Sequence, residues 1–218
     1  MRDNYVQELA ALHRHLTDLG KAAETSVNKA IKAYVDSDTE LAHEVFSDDL
    51  RINASTAEIE KETHKIIALQ QPVAQDLRML FAVLHVSLDL ERIADHAVSI
   101  GKIALHRDDH AEDSKTVTGY LAEMAQVAEK MIAQALESYI NKDAKKARKV
   151  ALMDERIDEL LDAVYKDTAE RMKKNSDLVT PGIDYIGVAN SLERIGDYVT
   201  NICERVVFLN TGEIVELN

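Results

Sequence analysis

Apolar residues in this 218-residue chain recur with the spacing of an α-helix almost from end to end. The pattern predicts six long helices, over about residues 4–35, 37–69, 72–106, 117–140, 143–175 and 181–209. Only seven glycines and two prolines interrupt it, too few for the regular turns of a β-sandwich or β-barrel. The sequence therefore predicts an all-α fold.

Local signals mark several of the predicted helix ends. Ser37 and Glu40 have the spacing of a capping box, which predicts that the second helix starts at Ser37. Pro72 and Pro181 are predicted in the first turns of the third and sixth helices, where the missing N–H of proline costs no hydrogen bond. Gly212 is predicted to end the last helix, and the polar segment 107–114 (RDDHAEDS) is predicted to be a linker.

The two halves of the chain repeat one another. Residues 90–95 (LERIAD) return 102 positions later as 192–197 (LERIGD). Residues 51–53 (RIN) and 30–35 (AIKAYV) return 105 positions later as 156–158 (RID) and 135–140 (ALESYI). These offsets predict two tandem antiparallel three-helix bundles, one in residues 1–108 and one in residues 114–218, packed side by side with a pseudo-twofold relation.

The charge balance excludes some partners. A formal net charge of −13 repels nucleic-acid backbones and anionic lipid. A single cysteine, Cys203, cannot form an intrachain disulfide and suits a reducing compartment. The N-terminal residues MRDNYVQELA do not resemble a signal peptide, and no apolar run reaches the length of about 18 residues that spans a bilayer. We therefore expect a cytoplasmic protein with neither nucleic-acid binding nor direct membrane insertion.

Each repeat carries a pair of carboxylates on the third helix of its bundle. Glu91 and Asp95 in the first repeat, and Glu193 and Asp197 in the second, lie four residues apart and so share one helix face. Like charges at this spacing destabilise a helix by about 0.2–0.5 kcal/mol. The neighbouring arginines point roughly 100° away around the helix, whereas a hard cation would neutralise both carboxylates.

The preceding helix of each repeat supplies further oxygen ligands. Asp154 and Asp158 are also four apart, and their counterparts in the first repeat are Asp49 and Asn53. The predicted metal ligands are therefore Glu91, Asp95, Glu193, Asp197, Asp49, Asp154 and Asp158. Carboxylates accept several divalent or trivalent ions, so iron, zinc, magnesium and manganese all stay open. The neutral Asn53 predicts a weaker first site.

Other interpretations of these residues remain open at the level of sequence. The acidic pairs could be solvated helix faces, or the LERIxD blocks could pack the bundles through paired glutamate and arginine. A metal-dependent hydrolase or oxidase could use the same carboxylates. Ferritin-type oxidases are disfavoured because the third and sixth helices lack the Glu-x-x-His spacing, and no glycine-rich phosphate loop is present. The alternatives are therefore a non-enzymatic adaptor, a metal-dependent enzyme and a protein with a structural metal.

The chain resembles the PhoU family of phosphate-signalling accessory proteins. The resemblance lies in residues 71–78 (QPVAQDLR), in the blocks 90–95 and 192–197, and in the Asn201-Ile202 pair that follows. It implies a non-enzymatic cytoplasmic regulator that links the ATPase of a phosphate ABC transporter to a membrane sensor histidine kinase. When phosphate is plentiful, such a regulator restrains uptake and keeps the starvation response off.

The resemblance also bears on metal binding. Some members of the family bind metal clusters through the two acidic blocks, which implies the same ligand set in this chain. Apolar positions left over on the helix faces would suit a homodimer or a partner helix, and the sequence does not choose between them.

Overall fold

The computed structural model describes residues 2–107 and 114–217. Over these residues it contains no strand, one 3₁₀ turn (Ser176–Leu178) and seven α-helices: α1 (Arg2–Asp36), α2 (Thr39–Gln70), α3 (Gln75–His106), α4 (Lys115–Asn141), α5 (Ala144–Ala151), α6 (Asp154–Lys174) and α7 (Val179–Thr211). The predicted all-α class is confirmed. The predicted linker lies outside the described residues except for its two ends, and the division into domains at this point stays a prediction.

The helix ends correct two of the predicted caps. Ser37 adopts a left-handed backbone with φ of 52°, and Asp38 is the N-cap of α2, since its side chain accepts a hydrogen bond from the Leu41 N–H at 2.9 Å. Pro72 precedes α3, which begins at Gln75. Gly212 ends α7 as predicted, with φ of 78° and its N–H donating to the Phe208 carbonyl.

The predicted fifth helix is divided into α5 and α6. At the junction, the Met153 N–H donates to the Val150 carbonyl at 2.9 Å, and the Arg156 N–H donates to the Met153 carbonyl at 3.1 Å. Hydrogen bonds between residues three apart in the chain tighten the backbone locally, as in a 3₁₀ turn. The prediction of one continuous helix was wrong here because no glycine or proline marks the junction.

Each repeat forms its own helical bundle. Helices α1, α2 and α3 pack against one another, and α4, α5, α6 and α7 do the same. Equivalent residues fill the two cores, since Ile52 and Leu90 are buried in the first repeat and Ile157 and Leu192 in the second. Burial of aliphatic side chains at about 1.5–3 kcal/mol each stabilises both bundles without a disulfide.

The two bundles meet through equivalent helices, α3 with α7 and α1 with α4. The rings of His96 and Tyr198, which are 102 positions apart, face each other with centroids separated by 5.7 Å. Arg78, near the start of α3, lies over the ring of Phe208, near the end of α7, at 5.5 Å, so the two helices run antiparallel. Equivalent residues contact each other directly only at a pseudo-twofold axis, and the axis therefore passes beside His96 and Tyr198.

None of the described helices contains an 18-residue stretch apolar enough to cross a bilayer.

Candidate metal centres

The second repeat brings its four predicted carboxylates together where α6 packs on α7. Asp154 is only 6% exposed. Burial raises the pKa of Asp154 to about 7, and the negative charges of Asp158, Asp197 and Glu193 contribute to the rise. Burial and the carboxylate of Asp197 also raise the pKa of both Asp158 and Glu193. The four acidic groups therefore repel one another across the contact between the two helices.

The Asp154 carboxylate lacks full hydrogen bonding. Its Oδ1 atom is buried and has no hydrogen-bond partner among the residues that the structure describes. The same oxygen lies against the backbone of Gly196, since a Cβ added there would be 2.1 Å from it. A buried carboxylate oxygen without a donor is unfavourable by about 1–3 kcal/mol, or more when it is charged. A bound cation or a proton would satisfy this oxygen.

Arg194 partly neutralises this cluster. Its Nη1 atom lies 3.2 Å from Asp197 Oδ2, and its Nε atom lies 3.6 Å from Glu193 Oε2. The expectation that the arginine points away from both carboxylates was therefore wrong, because its long side chain curls back along the helix. The Arg194 side chain is 60% exposed, so these pairs contribute little stability. The buried Asp154 has no such ion pair among the described residues.

The first repeat builds a similar but less acidic cluster between α2 and α3. Asn53 Nδ2 donates to Asp49 Oδ2 at 3.1 Å. The Oδ1 atoms of Asp49 and Asn53 are buried and have no hydrogen-bond partner in the described part of the chain. Burial and the Asp95 carboxylate raise the pKa of Asp49, and burial, Asp95 and Asp49 raise the pKa of Glu91. The orphaned oxygen thus recurs at the equivalent aspartates of both repeats, Asp49 and Asp154.

The oxygen atoms of both clusters are of the kind that a hard cation binds. Within residues 2–107 and 114–217, no three His, Cys, Asp or Glu side chains converge into a ready-made ligand cluster. The second cluster nevertheless offers four carboxylates and the first offers three with one amide oxygen, which are ligand types that hard cations prefer. The residues present therefore fit a cation, with the second repeat offering the more negative site.

Two acidic residues near these clusters were not among the predicted ligands. Asp162 is close enough to Asp158 to raise its pKa, after burial and Asp197. Glu60 acts in the same way on Glu91, as the weakest of several causes. Asp162 follows Asp158 by four residues, so the spacing rule used for the other pairs could have found it. Glu60 faces Glu91 from a different helix, and no local pattern indicates it.

The fold and its clusters define a class: a duplicated helical-bundle protein with an acidic cluster in each repeat. A model of the PhoU domain matches this chain twice, over residues 16–104 and 121–206. A phosphate-specific transport system accessory protein PhoU homolog of Streptococcus pneumoniae is 34% identical over the full length of both chains. A protein of the same name from Clostridium acetobutylicum is 32% identical, covering 100% of this chain and 99% of the other.

Solved structures show the same relationship. The phosphate transport system regulatory protein PhoU from Streptococcus pneumoniae superimposes with a TM-score of 0.90 at 31% identity, covering 97% of this chain and 99% of that one. PhoU from Pseudomonas aeruginosa superimposes with a TM-score of 0.92 at 31% identity, covering 96% and 100%. The chain belongs to the PhoU family.

Proposed function

We propose that this protein is a cytoplasmic regulator of phosphate uptake and phosphate signalling that works by docking to other proteins. The end-to-end similarity to phosphate transport accessory and regulatory proteins carries the proposal, since it covers both repeats at 31–34% identity. Its partners are the ATPase subunit of a phosphate ABC transporter and a membrane sensor histidine kinase. When phosphate is plentiful, it restrains uptake and holds the starvation response off.

Exposed apolar residues beside the acidic clusters support a docking role. Phe81 and Leu88 are each 47% exposed on α3, and their spacing places them on the helix face that carries Glu91 and Asp95. Ile183 on α7, which is 102 positions after Phe81, is 60% exposed. The apolar strip therefore reaches the acidic cluster in the first repeat, whereas in the second repeat Asn190 takes the place of Leu88 and separates Ile183 from the cluster. A partner helix that covers such a strip would bury apolar area and meet the charge of the cluster.

Metal binding is the second part of the proposal. A cation in the second repeat would be held by Asp154, Asp158, Glu193 and Asp197, and one in the first repeat by Asp49, Glu91 and Asp95. When bound, iron, zinc, magnesium or manganese would supply positive charge that offsets the carboxylate repulsion. The apolar packing of α6 on α7 and of α2 on α3 brings these carboxylates together in the metal-free protein. Both acidic faces would then be less repulsive toward an acidic partner surface.

The regulation follows from linkage between two docking events. If the transporter ATPase and the kinase bind different conformational states of the protein, binding of one partner lowers the affinity for the other, and the factor is the same in both directions. The two repeats give the protein two related faces for docking. A homodimer through the apolar strips is the competing use of the same surface.

Purified components test the docking proposal. The ATPase subunit and the kinase should each retain this protein in a pull-down, and the amount retained should depend on phosphate. Replacing Phe81 and Leu88 by serine should reduce retention about tenfold or more, as expected for central apolar anchors. Val6→Ser is the matched control, because Val6 is 59% exposed on α1. Retention by neither partner, with or without phosphate, contradicts the proposal, and sedimentation velocity on the same variants shows whether the strips serve a homodimer instead.

Elemental analysis tests the metal proposal. The wild-type protein purified without chelator should carry metal, and the fourfold variant Glu91, Asp95, Glu193 and Asp197→Ala should lose it. A variant that keeps its metal shows that the ligands are assigned wrongly. Metal-dependent hydrolysis of a phosphate ester that disappears in Glu91→Ala or Glu193→Ala would favour the enzyme alternative over the adaptor.

A further inference from the structure

A cavity of about 530 Å³ opens between α1 and the C-terminal end of α4, and none of its described lining residues belongs to either acidic cluster. Three cationic side chains surround it, Arg14 and Lys21 from α1 and Lys142 from the residue that caps α4. Its volume falls in the range of about 300–1,000 Å³ that is usual for small-molecule pockets. We call it the α1/α4 pocket.

The inner wall of the α1/α4 pocket is fixed by hydrogen bonds. The hydroxyl oxygen of Tyr139 and His13 Nδ1 are hydrogen-bonded at 2.8 Å, and His13 Nε2 lies 3.0 Å from the sulfur of Met79. Burial, with a smaller effect of the Lys142 ammonium, lowers the pKa of His13, so that its ring is neutral near pH 7. His13 and Tyr139 therefore form a rigid aromatic wall, and the positive charge comes from the arginine and the two lysines.

These three cationic side chains lie close together although the molecule as a whole is negatively charged. The chain carries a net charge of −13, yet the only carboxylate among the described lining residues is Asp18. No ion pair to Arg14, Lys21 or Lys142 is formed within the part of the chain that the structure describes. Unpaired like charges around a concave surface repel one another, and an anion bound between them would relieve that repulsion.

The fold builds this pocket a second time with different side chains. A cavity of about 340 Å³ is lined by Tyr34 and Thr118, which are the pseudo-twofold equivalents of Tyr139 and His13. Where the α1/α4 pocket has Arg14, this sister pocket has Gly119. Its own arginine, Arg107, donates to the Tyr34 carbonyl and lies over the Tyr34 ring at 4.5 Å. The helix arrangement therefore produces both cavities. The α1/α4 pocket is the larger and has three cationic side chains, whereas the sister pocket has two, Arg107 and Lys115.

We propose that the α1/α4 pocket binds a small phosphorylated ligand, of the size and chemistry of a nucleoside diphosphate or triphosphate. Arg14, Lys21 and Lys142 would bind the phosphates, since guanidinium and ammonium groups bind phosphate oxygens through charge-assisted hydrogen bonds. Ile140, which is 55% exposed, and the rim of Tyr139 offer apolar surface for the organic part. The volume exceeds what inorganic phosphate alone would fill. This inference does not depend on the proposed docking function.

Calorimetric titration of the full chain tests the proposal, with ADP, ATP, pyrophosphate, inorganic phosphate and an acidic polyglutamate peptide as probes. EDTA in the buffer keeps metal-bridged binding at the acidic clusters out of the measurement. ADP or ATP should bind, and raising the salt concentration should weaken binding because the contacts are charged. The double variant Arg14→Gln with Lys142→Asn should weaken nucleotide binding about tenfold or more. Asparagine is chosen because Lys142 has a left-handed backbone with φ of 51°, which asparagine tolerates.

Lys115→Gln in the sister pocket is the matched control and should bind nucleotide within about twofold of the wild type. Circular dichroism should show that the double variant unfolds at the same temperature as the wild type, so that a loss of binding reports the pocket. The proposal is overturned if neither nucleotide binds the wild type, if the double variant binds as tightly as the wild type, or if only the polyglutamate peptide binds.

Discussion

The buried carboxylate of Asp154 on α6 lies directly against the backbone of Gly196 on α7, where a Cβ would be 2.1 Å from its Oδ1 atom. In the first repeat, the residue equivalent to Gly196 is Ala94, and the residue equivalent to Asp154 is Asp49. The missing methyl group allows α6 to bring its aspartate closer to α7 than a side chain would permit. The presence of glycine instead of alanine therefore accompanies the deeper burial of Asp154 compared with Asp49.

Gly196→Ala should displace Asp154 and destabilise the second bundle by about 1–3 kcal/mol, as overpacking of a close contact does. Urea unfolding measures the change. Gly119→Ala is the control, since a Cβ there meets no atom within 4 Å and should stabilise α4 by about 0.5–1 kcal/mol through helix propensity. Equal effects of the two substitutions would show that the contact between Asp154 and Gly196 is not tight.

Asp154→Asn should stabilise the metal-free protein at pH 8. Burial and the neighbouring carboxylates raise the pKa of Asp154 from 3.8 to about 7, so between about pH 4 and pH 7 the folded protein holds a proton that the unfolded chain releases. The stability that this bound proton contributes is therefore lost as pH rises through that window. The asparagine variant, which has no titrating group at this position, does not lose it. We expect a gain on the order of 1–2 kcal/mol at pH 8 and almost none at pH 4.

Urea unfolding of wild type and Asp154→Asn at several pH values in EDTA measures this difference. Adding the metal found by elemental analysis should reverse the order at pH 8, because the cation stabilises only the carboxylate form. A stability difference that does not change with pH would contradict the assignment of Asp154 as the titrating group.

Asn53→Asp should strengthen metal binding in the first repeat and weaken the metal-free fold. The substitution removes the Nδ2 donor that now bonds to Asp49 Oδ2 at 3.1 Å and adds a carboxylate beside Asp49, Glu91 and Asp95. Titration calorimetry should show tighter binding by about tenfold, which corresponds to about 1.4 kcal/mol. Asn28→Asp on the exposed face of α1 adds the same charge elsewhere and should leave the affinity unchanged.

Glu129→Gln should strengthen the contact between α1 and α4. Glu24 and Glu129 are equivalent residues, 105 positions apart. Burial first, and then the charge of Glu24, raise the pKa of Glu129. Removing one of two like charges should stabilise the protein by a few tenths of a kcal/mol at pH 7, in line with like-charge pairs elsewhere.

The gain from Glu129→Gln should vanish at pH 4, because the raised pKa of Glu129 leaves its carboxyl protonated and uncharged in the wild type there. Thermal unfolding at the two pH values checks this. Glu170→Gln, on an exposed position of α6, removes the same charge away from α1 and should give no comparable gain. A gain that is as large for Glu170→Gln would show that net charge, and not the contact between Glu24 and Glu129, is responsible.

The sequence by itself determined the helices, the repeat and the acidic pairs. Apolar spacing and residue offsets are local or periodic properties of the chain, and the sequence shows both directly. The positions of Leu90 and Leu192 therefore predict equivalent core helices. Glu91 and Asp95 share a helix face because they are four residues apart. The N-cap of α2 was not determined by the sequence alone, because Ser37 and Asp38 are both good capping residues. The backbone conformation of the turn before α2 makes Asp38 the cap.

Only the tertiary structure decided which groups meet between helices. The break between α5 and α6 has no local signal. It places Asp154 against Gly196 of α7, which lies about forty residues later in the chain. The contact between His96 and Tyr198, and the cationic pocket made by Arg14 and Lys142, likewise depend on how two bundles dock. Such contacts follow from the packing of whole faces, because no spacing within one segment specifies the residues of another.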